Sequence, residues 1–205
     1  RKEIVERLKL PSGGTLTKVL RELIDGDFVR GYNTRERKIK QKDQIYQLID
    51  LYTLFYMQFC HPASTDTAFW THQMGKPRQN TWYGLAFERI CMLHIPQIKQ
   101  QLGIAQIYTE YYSWRSKLST PASQIDLLIE RADNLVNLCE IKYSQAPYSI
   151  TKEEDMRIRT RIADFVGETK IRHGVLTTLI TTFGLRPNPY SSIAQVQLTM
   201  DDLFV

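Results

Sequence analysis

Apolar residues recur along the first fifty positions first at helical and then at alternating spacing. Ile4, Val5 and Leu8 predict one helix, which the turn-forming run Pro11-Ser12-Gly13-Gly14 ends. Leu16, Val19, Leu20 and Leu23 fall at i, i+3, i+4 and i+7, so a second helix turns them inward and leaves Thr15, Thr17, Lys18, Arg21 and Glu22 outward. Asp25-Gly26-Asp27 stops that helix. Phe28 to Tyr32 reads as a strand, a polar and basic stretch runs from Asn33 to Lys42, and Gln44-Ile45-Tyr46-Gln47-Leu48 alternates like a returning strand. From Ile49 to Cys60 the chain is dense in aromatic and aliphatic residues, which predicts a helix buried between two domains, its rings serving as core. Residues 61–80 are polar, with two prolines and one glycine, and mark the domain junction; Phe69, Trp70 and His72 pin that loop. The expected organisation is therefore a first domain over 1–50, a connecting helix and loop over 51–80, and a second domain over 81–205.

In the second domain a helical pattern returns at Thr81, with Trp82, Leu85, Ile90 and Leu93 apolar, until Pro96 disturbs it. Ile107 to Trp114 is rich in β-formers, and Ser119-Thr120-Pro121 turns the chain. Gln124 to Glu130 and Leu135 to Tyr143 follow as strands joined by a short polar turn. Thr151-Lys152-Glu153-Glu154 reads as a capping box opening a helix through about Phe165, and Gly174 to Thr182 as the next strand.

Three charged residues interrupt these apolar strands. Glu140 and Lys142 stand two apart, so their side chains leave the same face of a strand, and a hairpin brings Asp126 beside them. Charges embedded in apolar strands are costly unless they pair or hold a metal. Two adjacent carboxylates supply the hard oxygen ligands that Mg²⁺ or Mn²⁺ takes, and a lysine can orient a water or stabilise charge building on phosphorus. Glu88 is a further carboxylate, set among apolar neighbours in Gly84-Leu85-Ala86-Phe87-Glu88. Arg157 and Arg161, four apart on the predicted helix, share a face suited either to a phosphate backbone or to surface ion pairs with nearby acids.

Asp126 followed by Glu140-Ile141-Lys142 resembles the PD-(D/E)xK nuclease superfamily, although Ile125 stands where many members carry proline. That resemblance implies a restriction-endonuclease-like αβββαβ domain with a central mixed sheet. Asp126 and Glu140 would then be metal ligands and Lys142 the catalytic lysine, with Glu88 matching the acidic residue of the first helix. Residues 1–50 resemble a winged helix-turn-helix whose first helix lies upstream. It implies that Thr15, Thr17, Lys18 and Arg21 on the second helix meet base edges while Arg35, Arg37, Lys38, Lys40 and Lys42 touch phosphate. With the closing segments Ile180 to Leu185 and Leu198 to Phe204, the whole chain resembles the C-terminal region of bacterial AAA+-type ATPases. No G-x-x-x-x-G-K-[ST] occurs, so ATP belongs to the expected upstream ATPase domain of the same polypeptide.

Composition narrows the context. At 42% hydrophobic and 24% charged residues the chain reads as an ordinary globular protein, for which the resemblance implies an α/β (α+β) fold, and no apolar run approaches the roughly 20 residues that span a bilayer. The expected location is cytoplasmic, with no membrane partner. Cys60, Cys91 and Cys139 are scattered among apolar neighbours and read as buried thiols; the histidines show no ligand spacing. Residues 1–50 carry 12 Lys+Arg against 8 Asp+Glu, so most of the formal +5 charge sits beside the candidate DNA-binding helix. The opening Arg1 suggests a fragment or processed chain. Three readings follow. The first is a Mg²⁺- or Mn²⁺-dependent DNA endonuclease region of such an ATPase. The second is a non-catalytic DNA- or protein-docking module with a degenerate nuclease fold, and the third a module that holds a homo-oligomer together. Intact ligands favour the first, a site closed by Arg or Lys salt bridges the others.

Overall fold

The computed structural model describes residues 1–32, 45–60 and 65–204. The chain divides into two compact units, residues 1–79 and 80–205. Among the described residues no helix is long and apolar enough to cross a membrane.

In the first unit α1 (Lys2–Leu8) and α2 (Gly14–Asp25) precede an antiparallel pair, β1 (Val29–Tyr32) and β2 (Ile45–Leu48), in which Val29 faces Leu48. Leu16 and Leu20 bury the inner stripe of α2. Val19, expected inward, is 43% exposed, because it lies at the margin of the stripe that Leu16, Leu20 and Leu23 centre. The segment expected to be one buried helix instead forms α3 (Leu51–Phe55) and a single π-helical turn (Tyr56–Cys60). Asp50 caps α3 by accepting from the Thr53 amide at 2.7 Å. So short a helix has only one side to bury. Phe59 is enclosed, whereas Tyr52 is 74% exposed and Met57 and Cys60 lie at the surface, which corrects the expected burial of that thiol and of the whole segment. The expected junction loop contains α4 (Phe69–Gln73), and its Trp70 ring packs 5.1 Å from Phe55 and edge-on to Phe59 at 5.4 Å.

The next helix, α5 (Pro77–Leu93), begins before Thr81, since proline is well suited to a first helical turn. Pro96 ends nothing further: it sits in the first turn of α6 (Ile95–Gln101) for the same reason. The second unit is a mixed α/β fold. Its five strands are β3 (Thr109–Arg115), β4 (Gln124–Arg131), β5 (Leu135–Lys142), β6 (Gly174–Thr181) and β7 (Val196–Thr199), and they lie in chain order across one sheet. β3, β4 and β5 are antiparallel neighbours; β6 and β7 add in parallel, the first after α7 (Lys152–Thr169) carries the chain back along the sheet. Thr151 caps α7 and Glu154 returns the contact to the Thr151 amide, completing the capping box.

Both sheet faces are covered. Leu127, Ile129, Cys139, Ile141 and Ile180 pack with Phe87 and Cys91 of α5 and Ile95 and Ile98 of α6. Ile125, Leu128, Val136 and Leu138 pack with Trp114 and with Phe165 of α7. Ile125 and Leu128 share a core although they are three apart, because β4 carries an extra residue: Tyr112 pairs Leu128 but Trp114 pairs Ile125. This bulge falls at Asp126 and Leu127, where strict alternation would otherwise dictate which way each side chain leaves the strand.

Candidate functional site

Glu140 and Lys142 close β5, the strand buried on both faces. Cys139 and Ile141 commit to the α5–α6 side, so the residues between them turn toward α7. There Glu140 is buried and saturated. Arg161 of α7 donates Nη1 to both carboxylate oxygens at 2.6 Å, and the Lys142 ammonium stands 2.7 Å from Oε1. Burial pushes the Glu140 carboxyl up, but the Lys142 and Arg161 charges outweigh it and hold the group below its ordinary range. The pocket around this cluster is small, about 20 Å³, and is also lined by Tyr148, Glu154 and Arg157. The Tyr148 hydroxyl bonds Glu154, and burial and that carboxylate raise its pKa.

Glu88 and Asp126 make the complementary arrangement. Glu88 is half-buried on α5 and its carboxyl is pushed up to about 7, first by desolvation and then by the charge of Asp126, with Glu140 adding to it and Arg89 and Lys142 opposing it. Asp126 is exposed, and its Oδ1 accepts from Gln124 Nε2 at 2.7 Å. β4 pairs β5 from Leu127 opposite Cys139, so Asp126 stands one step past the last paired position, toward Glu140. A groove of about 530 Å³ runs beside Glu88, with Gly84, Lys142, Tyr143 and Gln145 in its walls. Lys142 therefore borders both the closed pocket and the open groove.

The sequence-derived residues thus fall into two electrostatic groups: an acidic pair, Glu88 and Asp126, and a cluster in which Glu140 is held between two cations, Lys142 and Arg161. Among the described residues no three His, Cys, Asp or Glu side chains converge as a ready-made metal cage. The donor set is nonetheless all carboxylate oxygen, the chemistry of Mg²⁺ and Mn²⁺, and magnesium commonly uses one or two carboxylates together with waters and substrate phosphate. The Glu88 carboxyl is raised by burial first and by the charge of Asp126 second, so these two carboxylates are the oxygen donors a cation would meet there.

No family model matches the chain. No curated protein matches it either. Among solved structures it is similar to a protein of unknown function, AF1548, at 15% identity and a TM-score of 0.39, over 56% of this chain and 64% of that one.

Of the residues assigned to DNA, Thr15, Lys18 and Arg21 are exposed on α2, and Lys18 stands 3.8 Å from Glu22. Thr17 is half-buried, its hydroxyl accepting from Arg1 at 2.7 Å. Arg35, Arg37, Lys38, Lys40 and Lys42 lie outside the described residues. Arg157 is exposed on α7 beside the Glu140 pocket, and Arg161 is spent on Glu140. Arg159, pointing elsewhere, pairs with Asp155 at 2.9 Å. The part of Tyr148 in this pocket had no signal in the sequence, because the residue belongs to the irregular segment between β5 and α7. The buried thiols Cys91, pushed up to about 12, and Cys139, also raised, are held by burial as inert core groups.

Proposed function

We propose that the second unit is a divalent-cation-dependent phosphodiesterase acting on DNA, a PD-(D/E)xK-type nuclease region, and that the first unit docks the nucleic acid as a winged helix. The observation that carries this reading is the Glu88 carboxyl, raised by burial and then by the charge of Asp126, in the groove that Lys142 at the end of β5 also lines. The order α5, α6, β3, β4, β5, α7, β6 supports it, since apart from the inserted α6 it follows the αβββαβ arrangement implied by the motif. The context we propose is the C-terminal region of an AAA+-type ATPase.

Glu88 and Asp126 would hold the cation, joined by Glu140. When bound, a Mg²⁺ or Mn²⁺ ion supplies polarisation of the phosphoryl group and acidifies water for attack. Lys142, already placed between Glu140 and the groove, donates to the water or to the phosphoryl oxygens as negative charge accumulates on them. The apolar packing on either side of β5 fixes the strand end so that these groups keep their separation.

Cleavage of single-stranded, double-stranded and branched DNA with Mg²⁺ or Mn²⁺ tests the proposal. Glu140→Ala and Lys142→Ala are each expected to lower the rate by about a hundredfold or more. Equal products from all three proteins would sink the catalytic reading. One observation favours a second reading, a docking or oligomerisation module without catalysis: both oxygens of Glu140 are engaged by Arg161. In that case no cation stimulates cleavage, while Arg161→Gln destabilises the fold.

A further inference from the structure

Asn80, Gly84 and Glu88 stand four apart on α5, so they share one face of that helix and line one wall of the groove of about 530 Å³. The other wall is the end of β5 and the chain beyond it, as far as Gln145. Its two ends differ in character, since Asn80 and Glu88 lie about 12 Å apart along the helix. At one end are the charged groups, Glu88 and Lys142, with Lys142 engaged by Glu140 at 2.7 Å. At the other end are two exposed carboxamides. Gln145 Nε2 donates to Asn80 Oδ1 at 3.4 Å, and Gln145 also bonds the Tyr143 hydroxyl, which holds it in place. The contact with Asn80 leaves the Asn80 amide nitrogen as a donor and the Gln145 carbonyl oxygen as an acceptor, side by side.

Gly84, between these ends, is an independent observation. A glycine in a helix interior is destabilising against alanine, and nothing in the packing requires one: outside its own helix backbone, no atom lies within 4 Å of where its Cβ would stand. The missing side chain leaves the backbone of α5 bare along the groove, open to a flat ligand. Tyr143, half-buried with its ring 5.1 Å from that of Tyr83, gives the same space an aromatic border. The volume lies within the range of ordinary ligand sites, and the amide end offers uncharged polar groups rather than a cation for an anion. A planar heterocycle with a donor beside an acceptor on its edge meets what is there.

We infer that the amide end of this groove is a base-reading subsite: it takes one unpaired adenine of a single-stranded nucleic acid, whose amino group donates to the Gln145 carbonyl while the Asn80 amide nitrogen donates to the adjacent ring nitrogen, the ring lying over Gly84. This deepens the DNA reading of the same unit and rests on it. Carboxamide side chains match adenine through such paired contacts, and an unstacked base can present its edge and its face together. Unpaired cytosine shows the same order of groups, but the bicyclic ring of adenine buries more of its face. A base held at Asn80 and Gln145 sets which phosphodiester reaches the charged end, so these two residues determine specificity and take no part in bond breaking.

The test is fluorescence anisotropy of the 205-residue chain, in EDTA, with labelled single-stranded thymidine oligonucleotides that carry one central adenine, cytosine, purine lacking the amino group, or abasic site. Wild type is expected to bind the adenine probe about tenfold more tightly than the purine and abasic probes. The double variant Asn80→Ala, Gln145→Ala is expected to lose that preference while keeping its affinity for the abasic probe. Gly84→Leu, which fills the groove from a position with room for a side chain and a helix that favours one, is expected to lose it as well. Equal binding of the adenine and abasic probes by wild type overturns the subsite, as does a preference that survives in both variants. Tighter binding of cytosine than of adenine overturns the assignment of the base. Circular dichroism checks that the variants fold, and the wild-type comparison decides even if they do not. Discrimination without any cleavage in Mg²⁺ or Mn²⁺ leaves the subsite standing and removes the nuclease reading. Cleavage without discrimination does the reverse, and no binding of any probe overturns the subsite together with the docking of DNA.

Discussion

Glu88 is a carboxylic acid whose environment is at odds with its ordinary chemistry. Its carboxyl is raised to about 7 from the usual glutamate range, by desolvation first and by Asp126 next. A raised acid favours the folded state fully only below its unfolded pKa, and that contribution is lost as pH climbs through the folded value. Stability should therefore fall between about pH 4.5 and pH 7 and level off above, and Glu88→Gln should flatten that decline. Urea midpoints measured across this range check it; an unchanged slope in the variant would remove Glu88 as the cause. If Glu88 and Asp126 hold a cation as proposed, Mn²⁺ should raise the melting temperature more at pH 8 than at pH 5, because the ionised carboxyl is the ligand. The pattern of residues showed that Asp126, Glu140 and Lys142 were out of place among apolar neighbours. It could not show that Arg161 is the partner of Glu140, since that contact spans the turn between a strand and the following helix and leaves no periodic trace.

Among the elements, α7 was the most legible. Thr151 and Glu154 stand three apart before an apolar run, and the capping box forms as that spacing requires, with Thr151 accepting from the Glu154 amide at 3.2 Å. Thr151→Ala should cost about 1 kcal/mol of stability, read from urea unfolding, because the Glu154 amide loses its acceptor and the reciprocal bond loosens with it. As α7 carries Arg161 and Arg157, the same change should loosen the Glu140 cluster and weaken binding of an oligonucleotide more than its effect on stability alone implies. β5 was legible for a different reason: a mostly apolar run of that length, broken only by Asn137, Glu140 and Lys142 and bounded by a turn, suits a strand covered on both faces. The bulge in β4 was hidden. It depends on the pairing of Tyr112 with Leu128 and of Trp114 with Ile125, two partners that lie far along the chain from the strand they distort. The π-helical turn at Tyr56–Cys60 was hidden too, because hydrophobicity alone does not distinguish one helical winding from another.

Taken whole, the chain places its positive excess in the first fifty residues and its acidic pair in the second unit. If α2 docks nucleic acid, Lys18→Ala and Arg21→Ala should lower affinity for duplex DNA at 0.1 M salt and reduce the slope of log affinity against log salt by about one for each phosphate left without its cation. Binding measured by anisotropy that keeps both its strength and its salt slope would end the role of α2. The sequence by itself marked α5, β3, β4, β5, α7 and β6 of the second unit but neither α6 nor β7, since apolar periodicity and turn residues are local signals that backbone geometry reads directly and both missed elements are short. It also marked the charged residues that a buried strand end cannot carry without partners. Only the tertiary structure decided how those residues divide. Burial, strand register and the approach of α7 set which charges meet, and these depend on residues distant in the chain: Glu140 is closed by Arg161 and Lys142, while the charge of Asp126 falls on a Glu88 carboxyl that burial has already raised.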